Sequence, residues 1–309
     1  MAGAPARPAC LRCRLAARLP VALSRAANFC RQGDDGVMST SALDGLVVVV
    51  TGASRGIGRG VALHLAKNGA TVAGIARQSR DLDSLGAEVV AGHLTPIAAD
   101  VTSHDQVQNA FAAVTADFGP PGLVVTCAGI ADVLGPTWTA EPQTWWDAVA
   151  VDLLGTMITT RSAITRMLPV GGGRLVTVYG NLGERQQGNA SAFAVAKAGV
   201  ARMTESLACE LAGTGIKVFG MHPGFVRTPM TERLAWGEQG RAWLTGFGDR
   251  AERRWGSSGP AAELIATIAT GAADDLTGRV LWAGDDIGAV AARCRTDPDY
   301  RRLRMVVGH

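Results

Sequence analysis

The chain has 309 residues, of which 47% are apolar and 18% are charged, a composition typical of a globular protein with one large domain or two small ones. Residues 1–37 carry six arginines and two acids, and the other 24 basic and 25 acidic residues nearly cancel. This balance argues against a nucleic-acid-binding surface, and no apolar run is long enough to span a membrane.

Residues 1–37 differ in composition from the rest of the chain. They are rich in alanine, arginine and cysteine and contain no acid before Asp34, which is typical of a mitochondrial transit peptide. Met38, however, opens MSTSALDGLVVVVTG, a natural start for a domain. We therefore interpret residues 1–37 as a disordered leader or as residues that precede the true start, and we keep the transit peptide as the alternative.

The cysteine pattern argues against a metal site. Cys10 and Cys13 form a single C-x-x-C motif without the second pair that a zinc site needs. The body of the chain holds three further cysteines, Cys127, Cys209 and Cys294. Their scatter predicts buried thiols in a reducing cytoplasm. We therefore expect no bound metal and a cytoplasmic location, or a mitochondrial one if the first 37 residues are a transit peptide.

From Leu46 onward, short β-branched runs alternate with longer amphipathic segments. The runs predict strands at Leu46–Thr51, Thr71–Ala76, Leu94–Asp100, Leu123–Cys127, Arg174–Tyr179, Lys217–Met221 and Gly278–Ala283. The segments between them predict helices, among them Gly58–Asn68, Ser103–Phe118, Pro142–Met167 and Ala194–Leu211. Strands that are apolar on both faces and separated by helices indicate a parallel sheet that is covered on both sides.

This alternation predicts one α/β domain over residues 38–284, a single doubly wound Rossmann-type parallel sheet with helices on both faces. The segment Arg227–Trp255 departs from this alternation of strands and helices. It is long, contains three tryptophans and precedes the last predicted helix. Residues 285–309 are polar, and we expect them to pack on the surface as a C-terminal tail.

The first predicted strand runs directly into TGASRGIG, Thr51 to Gly58. Its glycines let the chain turn sharply into a helix and let the backbone approach a pyrophosphate, which the N–H groups of the helix N-terminus would bind. Because the pattern follows a first strand and opens a helix, it predicts a dinucleotide site rather than a structural turn. The predicted contacts in this loop are Gly52, Ser54, Arg55, Gly56, Ile57 and Gly58.

The second predicted strand ends in GIARQSR. A carboxylate usually stands at that end when the cofactor lacks the extra phosphate, because it binds the ribose hydroxyls. Here Ala76 occupies the place, Arg77 follows it, and Arg55 lies in the glycine loop. Two guanidinium groups suit a 2′-phosphate, so we predict NADP(H) as the cofactor, with two solvated surface arginines as the alternative.

Three later segments complete a pattern that resembles the short-chain dehydrogenase/reductase family over roughly Leu43–Ala283. They are AADVT, TCAG (where the family usually has N-N-A-G) and HPGFVRTPM, which matches the family's P-G-x-V-x-T. The resemblance implies that Asp100 and Val101 flank the adenine, and that Ala128 and Gly129 also contact the cofactor. The residues that it places along the nicotinamide are Pro223, Gly224, Val226 and Thr228.

Members of this family reduce a carbonyl with an asparagine, a serine, a tyrosine and a lysine. The tyrosine donates the proton, the lysine lowers its pKa and holds the nicotinamide ribose, the serine orients the oxygen, and the asparagine holds a water. In SAFAVAK, Lys197 matches the lysine but Phe193 takes the tyrosine position. Gly180 takes the serine position, and Asp152, in AVDLLGT, takes the asparagine position. The chain therefore departs from the family at three of the four positions.

Phe193 has no proton to give, which rules out a phenol donor at that position. Tyr179 adjoins Gly180 on one strand, and pleat alternation should turn its side chain away from the site. We expect Asp152 and Lys197 to share a water that acts as the acid. The alternative is that Asp152 only caps or kinks a helix in a site that has lost catalysis.

This chain keeps a carboxylate and the lysine but lacks the serine and the tyrosine. That combination is similar to the one in peroxisomal 2,4-dienoyl-CoA reductases of the family. Those enzymes reduce a conjugated thioester, with a water protonating carbon. LGERQQG, Leu182–Gly188, resembles their corresponding loop only loosely.

These observations favour an NADPH-dependent oxidoreductase that reduces a conjugated C=C bond or an iminium ion rather than a simple ketone. An apolar pocket for a small-molecule substrate would be walled by Trp236, Trp243, Phe247 and Trp255, although each could equally be a core residue. Two alternatives stay open: a non-redox cyclase or isomerase on the same scaffold, and a catalytically silent subunit of a hetero-oligomer.

The resemblance also implies a homo-oligomer, a dimer or a tetramer, because family members usually associate through the helix predicted at Ala194–Leu211. Nothing in the sequence indicates a nucleic-acid or membrane partner.

Overall fold

The computed structural model describes residues 42–88, 93–180 and 188–302. The strands in these ranges are β1 (Val47–Thr51), β2 (Thr71–Ala76), β3 (His93–Ala98), β4 (Leu123–Thr126), β5 (Gly173–Val178), β6 (Ile216–His222) and β7 (Val280–Trp282). Neighbouring strands are all parallel, and their order across the sheet is β3-β2-β1-β4-β5-β6-β7.

Helices connect the strands. They are α1 (Gly56–Lys67), α2 (Arg80–Asp83), α3 (His104–Phe118), α4 (Pro142–Val149), α5 (Gly155–Met167), α6 (Ser191–Glu210), α7 (Pro229–Trp236), α8 (Glu238–Trp243), α9 (Phe247–Arg254), α10 (Gly259–Ala269) and α11 (Ile287–Thr296). A π-helical turn, Ala150–Leu154, joins α4 to α5. None of the helices in the described part of the chain is long and apolar enough to cross a membrane.

The sequence VVVVT of β1 explains why helices cover both faces of the sheet. Successive side chains of a strand point to opposite faces, and all five residues of β1 are buried. Val48 and Val50 pack into the core formed with α1 and α10, whereas Val47 and Val49 pack into the core formed with α3 and α5. A strand that is apolar on both sides can be stable only between two helical layers.

The strand order changes direction between β1 and β4, which leaves a crevice at their carboxyl ends. Thr51, the last residue of β1, bridges this crevice: its Oγ1 accepts hydrogen bonds from the N–H groups of Cys127 (3.1 Å) and Ala128 (3.3 Å), just after β4. Ligands of doubly wound sheets bind at such a switch point. The fold therefore gathers the glycine loop and the TCAG segment at one edge.

The predicted fold class is confirmed, since the chain forms one parallel seven-stranded sheet between helical layers. Periodicity did not reveal the interruption within Pro142–Met167, because a π-helical turn keeps the chain helical.

The segment Arg227–Trp255 contains α7, α8 and α9, and the C-terminal tail contains α11. Cys209 was expected to be buried but is exposed, because it lies near the end of α6. Residues 1–37 and Leu182–Gly188, except Gly188, lie outside the described residues.

Candidate active site

The glycine loop after β1 is closely packed at its three glycine positions. Gly52 has φ +68°, and a Cβ atom there would lie 2.8 Å from the backbone N and Cα of Ala128. Gly56 has φ +61°, and its Cβ would lie 3.2 Å from Thr228 Cγ2. A Cβ on Gly58 would overlap the carbonyl oxygen of Gly52. These contacts bring together the glycine loop, the TCAG segment and the PG segment, which is Pro223–Thr228 after β6.

The N-terminus of α1 is suited to an anion. Its N-cap residue, Arg55, makes no side-chain capping hydrogen bond, and the first turn contains no acid. The first N–H groups of a helix have no partner within the helix and carry a partial positive charge. A glycine loop that admits close approach and an uncapped helix N-terminus fit the pyrophosphate of a dinucleotide.

The end of β2 lies beside the glycine loop, because the N–H group of Ala53 donates to the carbonyl oxygen of Ile75 (3.2 Å). Ala76 is buried at the strand end, and Arg77 follows it exposed. Among the described residues, Arg55 and Arg77 have neither a hydrogen-bond nor an ion-pair partner. Both guanidinium groups are therefore available to an anion at this edge of the sheet.

Asp100 follows β3 and is held by its own loop. Its Oδ1 accepts hydrogen bonds from the N–H (2.9 Å) and Oγ1 (2.7 Å) of Thr102. Val101 is buried and packs against Gly155, where a Cβ would come within 2.6 Å of Val101 Cγ2. The structure thus fixes the segment expected to flank an adenine against the start of α5.

The PG segment after β6 is held by His222. Nδ1 of His222 accepts a hydrogen bond from the N–H group of Gly224 (3.0 Å), and its ring stacks on Trp282 with ring centroids 4.7 Å apart. Thr228 ends the segment and caps α7, where its Oγ1 accepts from the N–H group of Thr231 (3.1 Å). These contacts fix both ends of the loop that the sequence assigned to the nicotinamide.

The π-helical turn carries Asp152 into the site. The Asp152 side chain is fully buried; its Oδ1 accepts a hydrogen bond from the N–H group of Ile130 (2.7 Å) and its Oδ2 lies 3.1 Å from Lys197 Nζ. Lys197 Nζ also donates to the carbonyl oxygen of Val178 (3.4 Å). The two residues predicted to carry the chemistry are therefore in direct contact, and no water fits between their charged atoms.

Burial shifts two titratable groups here. Burial raises the pKa of Asp152, and the nearby charge of Lys197 and the N–H group of Ile130 offset part of that shift. Burial raises the pKa of the Cys127 thiol to about 11, although Lys197 again acts in the opposite direction. Both shifts have the sign expected when a charged form loses water.

Phe193 lies beside the lysine in place of a phenol. Lys197 Nζ lies 5.3 Å from the centroid of the Phe193 ring, within cation–π range. A Cβ on Gly180 would lie 3.8 Å from the edge of that ring, an ordinary contact. As predicted, Tyr179 points elsewhere: it is buried and packs in a cluster with Val200 and neighbouring apolar residues. The family's serine and tyrosine positions thus adjoin one another here, without hydroxyls.

An apolar cluster extends from Phe193. Its buried members are Ala131, Ala190, Leu234 and Leu244, with Leu134, Phe193, Met230 and Phe247 packed against them. Of the aromatic residues predicted to wall a pocket, Phe247 joins this cluster, and the Trp243 ring lies 3.4 Å from the Cβ position of Gly135. Trp236 and Trp255 instead pack edge to face on each other, with ring centroids 4.4 Å apart.

Two functional contacts were missed by sequence reasoning. His222 and Thr51 hold the loops of the site through hydrogen bonds to backbone N–H groups. Neither residue type signals such a role by itself. The only available signal was position: Thr51 ends a predicted strand and opens TGASRGIG, and His222 follows a predicted strand and opens HPGFVRTPM.

The sequence matches known proteins over most of the described domain. A family model described as short chain dehydrogenase matches residues 46–239. The 3-oxoacyl-acyl-carrier-protein reductase of Thermotoga maritima is 35% identical over 258 residues, which cover 80% of the chain and 99% of that protein. The cis-4-hydroxycyclohexanecarboxylate dehydrogenase of Sinomonas cyclohexanicum is 36% identical over 190 residues, which cover 61% of the chain and 76% of that protein.

Solved structures resemble the whole domain. Levodione reductase superposes with a TM-score of 0.72 and 26% identity, covering 80% of the chain and 99% of that structure. A variant of actinorhodin polyketide ketoreductase with NADPH superposes with a TM-score of 0.71 and 28% identity, covering 79% of the chain and 97% of that structure.

Proposed function

The chain belongs to the short-chain dehydrogenase/reductase family, and on that premise we propose that it is an NADP(H)-dependent reductase that works without a phenolic acid. We propose a conjugated C=C bond or an iminium ion as the reducible group, rather than a simple ketone. The observation that carries this proposal is the Phe193 ring beside Lys197 Nζ, where the family places a phenol.

The preference for NADP(H) rests on the edge of the sheet at β2. Arg55 and Arg77 are exposed and unpaired among the described residues, and Ala76 stands where a ribose-binding carboxylate would otherwise be. Two guanidinium groups bind a phosphate well, because each offers several N–H donors in a plane. The similar ketoreductase with NADPH is consistent with this choice.

When bound, the cofactor supplies a hydride to the substrate. Gly52, Gly56 and Gly58 would admit its pyrophosphate, and the loop held by His222 would border its nicotinamide. The apolar cluster around Phe193 would exclude water from the reacting carbon.

Lys197 has the role of proton source in this proposal. Asp152 is fully buried behind it, so the carboxylate cannot reach a substrate. The ammonium group of Lys197, or a water bound to its open side, would protonate the α-carbon after hydride addition to the β-carbon of a conjugated C=C bond. An iminium ion needs no proton at this step, because hydride addition to its carbon gives a neutral amine directly. We thus place the water on the substrate side of Lys197, not between the two residues.

A silent or non-redox protein is the second candidate, and one observation favours it. The Lys197 ammonium is already engaged by Asp152 and by the carbonyl oxygen of Val178. In this alternative, Lys197 would only stabilise the loops of the protein around a bound cofactor that does not react.

We also propose that the protein is an oligomer. Large apolar side chains are exposed near α5 and α6, at Leu154, Met157 and Val195, and exposed apolar groups on neighbouring helices favour association. Light scattering on the purified protein would give the number of subunits.

The experiment that tests the function is NADPH oxidation with matched panels of enones, cyclic iminium ions and ketones. We expect turnover with at least one of the first two panels and little with ketones. A protein that binds NADPH but oxidises it with no panel would support the second candidate. Efficient ketone reduction would contradict the proposal of a changed proton donor.

A further inference from the structure

Arg59 connects the two segments that carry the free arginines. It lies in the first turn of α1, directly after Gly58 of the glycine loop, and its side chain is mostly buried. Its Nη1 donates to the carbonyl oxygens of Ser54 (2.9 Å) and Asp81 (2.6 Å). Its Nη2 donates to Ser84 Oγ (3.0 Å) and to Glu88 Oε1 (2.5 Å). One guanidinium group thus bonds four acceptors on two separate segments.

Each segment carries one of the two arginines. Ser54 immediately precedes Arg55 in the glycine loop, and Asp81 lies on α2, four residues after Arg77. A helix as short as α2 has little stability of its own. Leu82 of α2 and Leu85 just after it are buried in the core shared with α1, and the bonds from Arg59 join α2 to the glycine loop itself.

Arg59 itself is a poor candidate for a phosphate ligand. Both of its terminal nitrogens already donate two hydrogen bonds each, and Glu88 balances its charge. A phosphate could bind Arg59 only by displacing these partners. Its geometry suits a group that joins backbone segments, because the planar guanidinium directs its donors in fixed directions.

We propose that Arg59 is a positioning residue that sets the separation of Arg55 and Arg77 and thereby determines the preference for a 2′-phosphorylated cofactor. The inference rests on the proposed NADP(H) function. Without Arg59, the segments that carry the two guanidinium groups would lose the side chain that joins them, and the two groups would bind one phosphate together less well. NADH has no such phosphate and binds through the glycine loop and helix N-terminus, so its affinity should depend less on Arg59.

The test compares the dissociation constants of NADPH and NADH for the native protein, Arg59→Ala and Arg59→Lys. We expect Arg59→Ala to weaken NADPH binding about tenfold, the scale of one charge-assisted hydrogen bond, and NADH binding by less than about threefold. Arg59→Lys should be intermediate, because an ammonium cannot reach all four acceptors at once.

Arg174→Ala is the matched control. Arg174 is also a partly buried arginine, with two hydrogen bonds to one carboxylate, that of Asp274 (2.8 Å each). It lies near the amino end of the interior strand β5, whereas the candidate cofactor site lies at the carboxyl ends of the strands. Its loss should leave the ratio of the two affinities unchanged.

The second measurement is the rate of amide hydrogen exchange of residues 78–88 in the cofactor-free protein, and this rate should be higher in Arg59→Ala. A ratio of NADPH to NADH affinity equal to that of the native protein, or an unchanged exchange rate, would overturn the role of Arg59.

Arg77→Ala distinguishes this failure from a failure of the proposed NADP(H) function. If Arg77→Ala weakens NADPH binding selectively and Arg59→Ala does not, only the role of Arg59 fails. If Arg77→Ala weakens both cofactors equally, the phosphate site itself is wrong. Should Arg59→Ala not fold, Arg59→Lys carries the same comparisons.

Discussion

Asp152 Oδ2 lies 3.1 Å from Lys197 Nζ, and both side chains are buried. Gly129 packs closely against this pair, since a Cβ there would lie 3.0 Å from Asp152 Oδ1 and 3.2 Å from Lys197 Nζ. Three separate segments therefore meet at one ion pair: the end of β4, the π-helical turn and α6. Of the two side chains, only that of Lys197 keeps any exposure, so the lysine faces the site and the aspartate supports it from behind.

Loss of the carboxylate should lower turnover without abolishing cofactor binding. Asp152→Ala removes the counter-charge of a buried ammonium, so we expect turnover to fall about 10²-fold, the scale of general acid catalysis, and stability to fall by about 3–5 kcal/mol. Asp274→Ala is the control, because Asp274 is a partly exposed acid paired with Arg174 (2.8 Å) and does not contribute to the pKa shift of Asp152. The rate of NADPH oxidation and a denaturant melt measure both effects. Undiminished turnover in Asp152→Ala would remove Asp152 from the mechanism.

Arg77 should discriminate between the two cofactors. Arg77→Ala removes a free guanidinium at the end of β2, and we expect NADPH binding to weaken by about 1.5–3 kcal/mol, as for a charge-assisted hydrogen bond. NADH binding should hardly change. A calorimetric titration with each cofactor provides the measurement, and equal losses for both would refute a 2′-phosphate contact.

Restoring the two missing hydroxyls should have little effect on the native reaction. A side chain at position 180 meets no clash at its first atom, since a Cβ on Gly180 would contact the Phe193 ring only at van der Waals distance. We therefore expect Gly180→Ser with Phe193→Tyr to fold and to change turnover of the native substrate by less than about threefold, well below the contribution of a working general acid. The assay is NADPH oxidation on the enone, iminium and ketone panels. A large gain in ketone reduction would indicate instead that the site had merely lost its catalytic residues.

The thiols should differ in reactivity. With its pKa raised to about 11, Cys127 holds its proton well above neutral pH, and only about one thiol in a thousand would be ionised at about pH 8. Since the thiolate is the reactive form, alkylation of Cys127 should become appreciable only as the pH approaches that value. Cys209 is exposed and should react first. Peptide mass spectrometry after iodoacetamide treatment at about pH 8 checks the order; rapid labelling of Cys127 would contradict it.

Local patterns were enough to predict the sheet and the glycine loop. The VVVVT run and the glycines after it are contiguous, so β1, the turn and α1 could be assigned from neighbours in sequence. The resemblance assigned Gly180 and Phe193 to the family's serine and tyrosine positions, and the two residues adjoin in the structure.

Contacts between distant segments could not be predicted in this way. Arg59 bonds residues 22 to 29 positions away, and nothing in its own neighbourhood distinguishes it from a surface arginine. The direct contact of Asp152 with Lys197 likewise depends on how α6 packs against the π-helical turn. Tertiary packing determines such distances, and no periodic pattern records them.

The π-helical turn makes the site sensitive to chain length. A π turn holds one residue more than the corresponding α-helical turn, and each residue of an α-helix rotates its neighbour by about 100°. Deleting one residue within Ala150–Leu154 would therefore turn Asp152 away from Lys197, or turn the buried face of α5 away from the sheet. Descendants of this chain could exchange the side chain at position 152 by a single substitution, but an insertion or deletion in the turn would separate the site from the core in one step.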